Sequence, residues 1–119
     1  MTARDDQFQV AVTDAGAYGA VAIDRASRAM TAGYAHAQLI APALLDLLLG
    51  AVRPSSPLTH LCGGSPLSAA RELFVAGRDR ALYCLVLERG EVIVVAAPAT
   101  MSVALGWTLA RGLAATGRA

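Results

Sequence analysis

The segment Leu82–Pro98, LYCLVLERGEVIVVAAP, holds two apolar runs on either side of a polar corner, ERGE, and stops on a proline. Short apolar runs bounded by turn residues read as strands, and two of them joined at a Gly-containing corner read as a hairpin. Leu82–Leu87 is nearly continuously apolar, the pattern of a strand covered on both faces. Just upstream, ELFVA and the turn GRDR add a third strand. The expected meander has strands near 69–76, 81–87 and 92–97.

Working outward, MSVALGWTLARGLAA (101–115) spaces Leu105, Leu109 and Leu113 along one helical stripe, with Trp107 to one side. Thr100 or Ser102 is its N-cap, and Gly106 and Gly112 weaken it slightly. Toward the N-terminus, the runs 19–23 and 29–34 bracket the polar DRAS and predict a second hairpin. Residues 5–15 place Phe8, Ala11, Val12 and Ala15 on one helical face, with Asp5 and Asp6 in the first turn and Gly16 as the stop. The alternation in FQVAV (8–12) also fits a strand.

Residues 37–53 predict a helix that is apolar almost all round. Leu39, Ile40, Leu44, Leu47 and Leu48 cover one broad face, and Leu45 and Leu49 cover another. Asp46 is the only charge between His36 and Arg53. Such a helix is expected to be buried on all sides. Residues 54–68, rich in Pro and Gly, predict a loop. The order helix, two strands, helix, three strands, helix predicts an α+β fold. It has a single five-stranded antiparallel sheet flanked by helices, and one domain spans residues 1–119.

The chain has 119 residues, 55% of them apolar, enough for one real core. A net charge of +1 gives no pull toward nucleic acid or an anionic membrane. All the basic residues are arginines. The longest apolar block, LIAPALLDLLLGAV, is too short and interrupted to insert in a membrane. The N-terminal residues lack the apolar core of a secretory signal. Two cysteines, Cys62 and Cys84, make no disulfide framework. Cytoplasmic localisation is the expectation.

Candidates for chemistry are few. His60 and Cys62 share the 54–68 loop, but a structural zinc site needs four ligands. Cys84 lies in the most apolar strand, where a thiol is inert. CGGSPL has Leu67 where a nucleophile elbow requires glycine, and it lacks the tail of a phosphate-binding loop. Asp24, Asp79, Glu88 and Glu91, with Arg78, Arg80 and Arg89, fall at hairpin corners as a soluble rim. Tyr34, Tyr83 and Trp107 do not space as a base-stacking ladder. No catalytic residue, cofactor or metal is expected. What remains is the 37–53 helix, with more apolar surface than one sheet face covers. Its cover is either the same helix of a second copy or the 54–68 loop.

In order and local pattern the chain resembles the Roadblock / dynein light-chain family, with a profilin-like layout. GAVAIDRASRAMTAGYA matches the first hairpin, LIAPALLDLLLGAV the middle helix, ELFVAGRDRALYCLVLERGEVIVVAAP the meander and SVALGWTLARGLA the closing helix. The resemblance implies a non-enzymatic dimer built on the middle helix and the neighbouring edge strand, linked in bacteria to small Ras-like GTPases. By that resemblance Leu44, Leu45, Leu48 and Leu49, with Leu73 and Val75 on the strand at 70–76, are the candidate homodimer contacts. Two other readings compete. One is a sensory or ligand-binding module with a pocket near Tyr34, His60 and Cys62. The other is a small enzyme using Cys62 with His60 or His36.

Overall fold

In a computed structural model that describes residues 3–27, 29–36 and 72–116, the N-terminal segment forms helix α1, Ala3–Ala15. Phe8 and Val12, one turn apart, are fully buried, while Val10 is 59% exposed. A strand would put all three on one face, so burial of Phe8 and Val12 together selects the helix. Gly16 ends it with φ +74°, a conformation that glycine adopts without strain.

Strands β1 (Gly19–Asp24) and β2 (Met30–Ala35) form the first hairpin. The Asp24 carboxylate accepts from the Ser27 hydroxyl at 2.7 Å and backbone N–H at 3.2 Å, which closes the turn and holds Asp24 below the usual carboxylate range. The register slips between Ala22 and Ile23, leaving Thr31 as an extra residue. Strands β3 (Glu72–Ala76), β4 (Arg80–Val86) and β5 (Glu91–Pro98) form the meander. Gly90, at φ +85°, makes the corner between β4 and β5. Helix α2, Val103–Ala115, is capped by Ser102, whose Oγ accepts from the Leu105 N–H at 3.2 Å.

The five strands are ordered β2-β1-β5-β4-β3, every neighbouring pair antiparallel. Strand β5 sits in the middle and joins the hairpin to the meander, from Gly19↔Ala96 to Asp24↔Glu91. On one face Ala22, Ile93, Val95 and Tyr83 pack with Phe8 and Val12 of α1 and Leu109 and Leu113 of α2. On the other face Ile23, Cys84, Val92 and Val94 are buried as well. This burial accounts for the unbroken apolar run in β4 and pushes the Cys84 thiol up to about 11. The helix expected over 37–53, with Leu44, Leu45, Leu48 and Leu49, and the loop over 54–68 lie outside the described residues.

Glu91 is a correction. It was expected as a solvated corner, but its side chain is only 13% exposed and ties four elements together. Arg4 of α1 donates to both carboxylate oxygens, at 2.5 and 2.9 Å. Arg89 donates at 2.8 Å and also reaches the Ala114 carbonyl of α2 at 2.7 Å. The Thr31 hydroxyl of the bulge donates at 3.1 Å. Led by the Arg4 hydrogen bonds, this set lowers the Glu91 pKa from 4.5 to about 2.

A carboxylate whose pKa is depressed on folding adds stability above its unfolded value and loses it as pH falls toward the folded value. Glu91 therefore supports the fold at pH 7, and its contribution disappears between about pH 4.5 and about pH 2. Glu91→Gln is expected to lower stability at pH 7 by about 1.5–3 kcal/mol. Thermal unfolding followed across this pH range should show a shallower acid decline for the variant than for the wild type.

Candidate functional site

A five-stranded open sheet has two edges, and this chain treats them differently. At β2 the outer edge is blunted. The Gly33 N–H, directed away from β1, donates to the Asp5 carboxylate of α1 at 3.0 Å. The Thr31 bulge interrupts the same edge, and the Thr31 hydroxyl shares its one proton between Glu91 and the Ala22 carbonyl, 3.2 Å away. Bulges and charged groups of this kind stop an edge from pairing with another chain.

At β3 the edge is open among the described residues. The Gly77 N–H donates to the Arg80 carbonyl at 2.8 Å, so this pair is hydrogen-bonded. Antiparallel alternation then turns the backbone groups of Val75 and Leu73 toward Leu82 and Cys84 of β4. Those of Glu72, Phe74 and Ala76 point outward. Phe74 is 41% exposed and Val75 42%. The one charge on the strand, Glu72, is taken up by Arg111 of α2 at 2.5 Å. The result is an apolar edge whose outward backbone groups have no partner among the described residues.

Of the expected contact residues, the structure places Leu73 and Val75 on one side of this strand. Phe74, which the sequence reading passed over, lies on the other side. Its ring packs at 5.1 Å on Tyr83, and Tyr83 packs edge-on against Trp107 of α2 at 5.3 Å. Tyr83 is fully buried. A β-carbon placed on Gly106 would fall 2.2–2.5 Å from the Tyr83 ring. Gly106 is therefore not a weak spot in the helix, as its residue type suggested, but the gap that lets α2 sit down on Tyr83. The row Phe74–Tyr83–Trp107 braces the open edge from behind.

The residues considered for a ligand pocket or catalysis do not converge among the described residues. Tyr34 packs against His36 at 5.1 Å, and the His36 ring nitrogens lie 3.5 Å from the Tyr34 and Thr13 hydroxyls. Cys84 is buried elsewhere. No three His, Cys, Asp or Glu side chains gather as metal ligands among the described residues. His60 and Cys62 lie outside them. No described helix is long and apolar enough to cross a membrane.

No protein-family model matches the sequence, and no curated protein matches it significantly. Solved structures do. Over 98% of this chain and 92% of the other, the structure superposes on MglB of Myxococcus xanthus with a TM-score of 0.74 and 20% identity. A Roadblock/LC7 domain from Streptomyces avermitilis matches with a TM-score of 0.60 and 16% identity, over 93% of this chain and 94% of the other. The chain has a Roadblock-type fold. An MglB structure described as a tetrameric arrangement matches at 0.68 and 20% identity, over 98% of this chain and 91% of the other. The Roadblock-type sheet order runs from β2 to β3, so the open β3 edge lies at one end of that sheet.

The two glycines of α2 make opposite predictions. Gly106→Ala should destabilise by about 1–3 kcal/mol, because the Tyr83 ring must shift and the helix gain is smaller. Gly112, with nothing within 4 Å of an added β-carbon, should gain up to about 1 kcal/mol as alanine. Urea unfolding of the two variants measures both signs.

Proposed function

We propose that this protein is a non-enzymatic, homodimeric regulator or scaffold that engages a small Ras-like GTPase in the cytoplasm. The observation that supports it most is the β3 edge: unpaired among the described residues, apolar, braced by the Tyr83 row, and set opposite an edge that Asp5 and Thr31 close. A second copy related by a two-fold axis centred on Phe74 would pair Phe74 with its counterpart and Glu72 with Ala76. That would satisfy the outward backbone groups and extend one sheet across both copies. Leu73 of each copy would lie opposite Val75 of the other across the join. Leu44, Leu45, Leu48 and Leu49 are the apolar residues proposed to add to this contact. The tetrameric arrangement of one MglB structure supports self-association as a use of this fold. The GTPase rests on the Roadblock resemblance.

Val75→Asp puts a charge into the join without touching the core, because Val75 is already partly exposed. Light scattering at micromolar concentration should give twice the chain mass for the wild type and the chain mass for Val75→Asp. A wild type that runs as a monomer at tens of micromolar contradicts the dimer. Co-purification from the native cell should return a Ras-like GTPase, and a different class of partner contradicts that part of the reading.

A further inference from the structure

Each edge of the sheet has a carboxylate beside it, and the fold uses the two in opposite ways. At β2 the Asp5 carboxylate of α1 takes the outward Gly33 N–H and so occupies a backbone group that another strand would need. At β3 the carboxylate belongs to the strand itself. Glu72 is the only charged residue of ELFVA, and a bare charge on an edge strand opposes pairing.

Arg111 neutralises that charge from behind. Helix α2 packs on β4 and β5, so Arg111 comes to Glu72 from the β4 side, at 2.5 Å, rather than across the outer edge. The guanidinium is itself held, 5.9 Å from the ring of Trp107, one helical turn earlier. Trp107 packs on Tyr83, and Tyr83 on Phe74. Glu72 and Phe74 are therefore tied to α2 by one closed set of contacts.

In a lone copy the ion pair adds little. The Arg111 side chain is 57% exposed and that of Glu72 42%, and pairs so accessible to water are weak. Pairing changes this. In the register centred on Phe74, Glu72 faces Ala76 of the partner subunit, which offers no cation. Phe74 of the partner subunit lies on the next diagonal, within reach for an aromatic side chain. Covering Glu72 there without a counter-charge would be costly, whereas a carboxylate that brings its own arginine enters the join neutralised. The strand rise keeps the two copies' Glu72 residues about 14 Å apart along the join, beyond strong repulsion.

We propose that Arg111 makes β3 selective for a second copy of this chain. It neutralises Glu72 from within the same subunit, so the edge accepts its own strand and needs no cation from the partner. This inference rests on the dimer reading above.

The test is a double-mutant cycle on the dimer dissociation constant, read by analytical ultracentrifugation of the full chain. Arg111→Gln should weaken the dimer about tenfold. Glu72→Gln should stay within about threefold of the wild type, and Glu72→Gln combined with Arg111→Gln should return to that range. Placed in the Val75→Asp monomer, Arg111→Gln should lower the melting temperature by less than about 3 °C. A larger fall would make Arg111 a folding residue and overturns the proposal. A wild-type dimer unmoved by Arg111→Gln overturns it too, and leaves the β3 reading in place. So does a double variant that fails to recover, since the arginine would then act through Trp107 alone. A wild type that is monomeric at tens of micromolar removes the β3 reading and this inference with it.

Discussion

The antiparallel pairing of β1 with β5 is the constraint on which the rest of the structure depends. It joins an N-terminal hairpin to a C-terminal meander from opposite ends of the chain. It makes β5 the middle of the sheet, which is why Val92 to Ala97 are buried without interruption. It also decides which strands are left at the ends. Once β1 and β5 are joined, β2 and β3 must be the edges, and each must be closed, blunted or used. Asp5 and the Thr31 bulge blunt one. The described residues leave the other with its backbone groups facing outward.

Much of this was legible in the residues. Val, Ile and Leu on both sides of ERGE specify a hairpin because strand formation there needs only local pattern and a glycine that accepts positive φ. The alanine-rich GAVAID reads as a strand despite weak propensity, since its buried positions fit beneath the helices. The FQVAV segment was ambiguous because period-two and period-3.6 patterns coincide over five residues; burial of Phe8 with Val12, but not Val10, decides it. Ser102 rather than Thr100 is the cap. Leu105, expected in the apolar stripe, is instead 43% exposed.

What escaped the sequence reading involves partners far apart in the chain. Gly106 looks like a flaw until the Tyr83 ring appears beneath it. Glu91 looks like a solvated corner because Arg4, 87 residues away, gives no local sign of its presence. Phe74 is hidden by strand alternation, which drew attention to Leu73 and Val75 and away from the residue whose backbone faces outward. The leucines of 37–53, which the sequence marks as candidate dimer contacts, lie outside the described residues.

Backbone amide exchange along β3 tests the proposed pairing most directly. The Val75 N–H, bonded within the sheet, should be protected at every protein concentration. If a second copy pairs along this edge, the outward N–H groups of Phe74 and Ala76 should exchange slowly in concentrated protein and speed up on dilution through the dimer range. Exchange of Phe74 and Ala76 at the rate of a solvent-exposed amide at all concentrations would contradict pairing through β3.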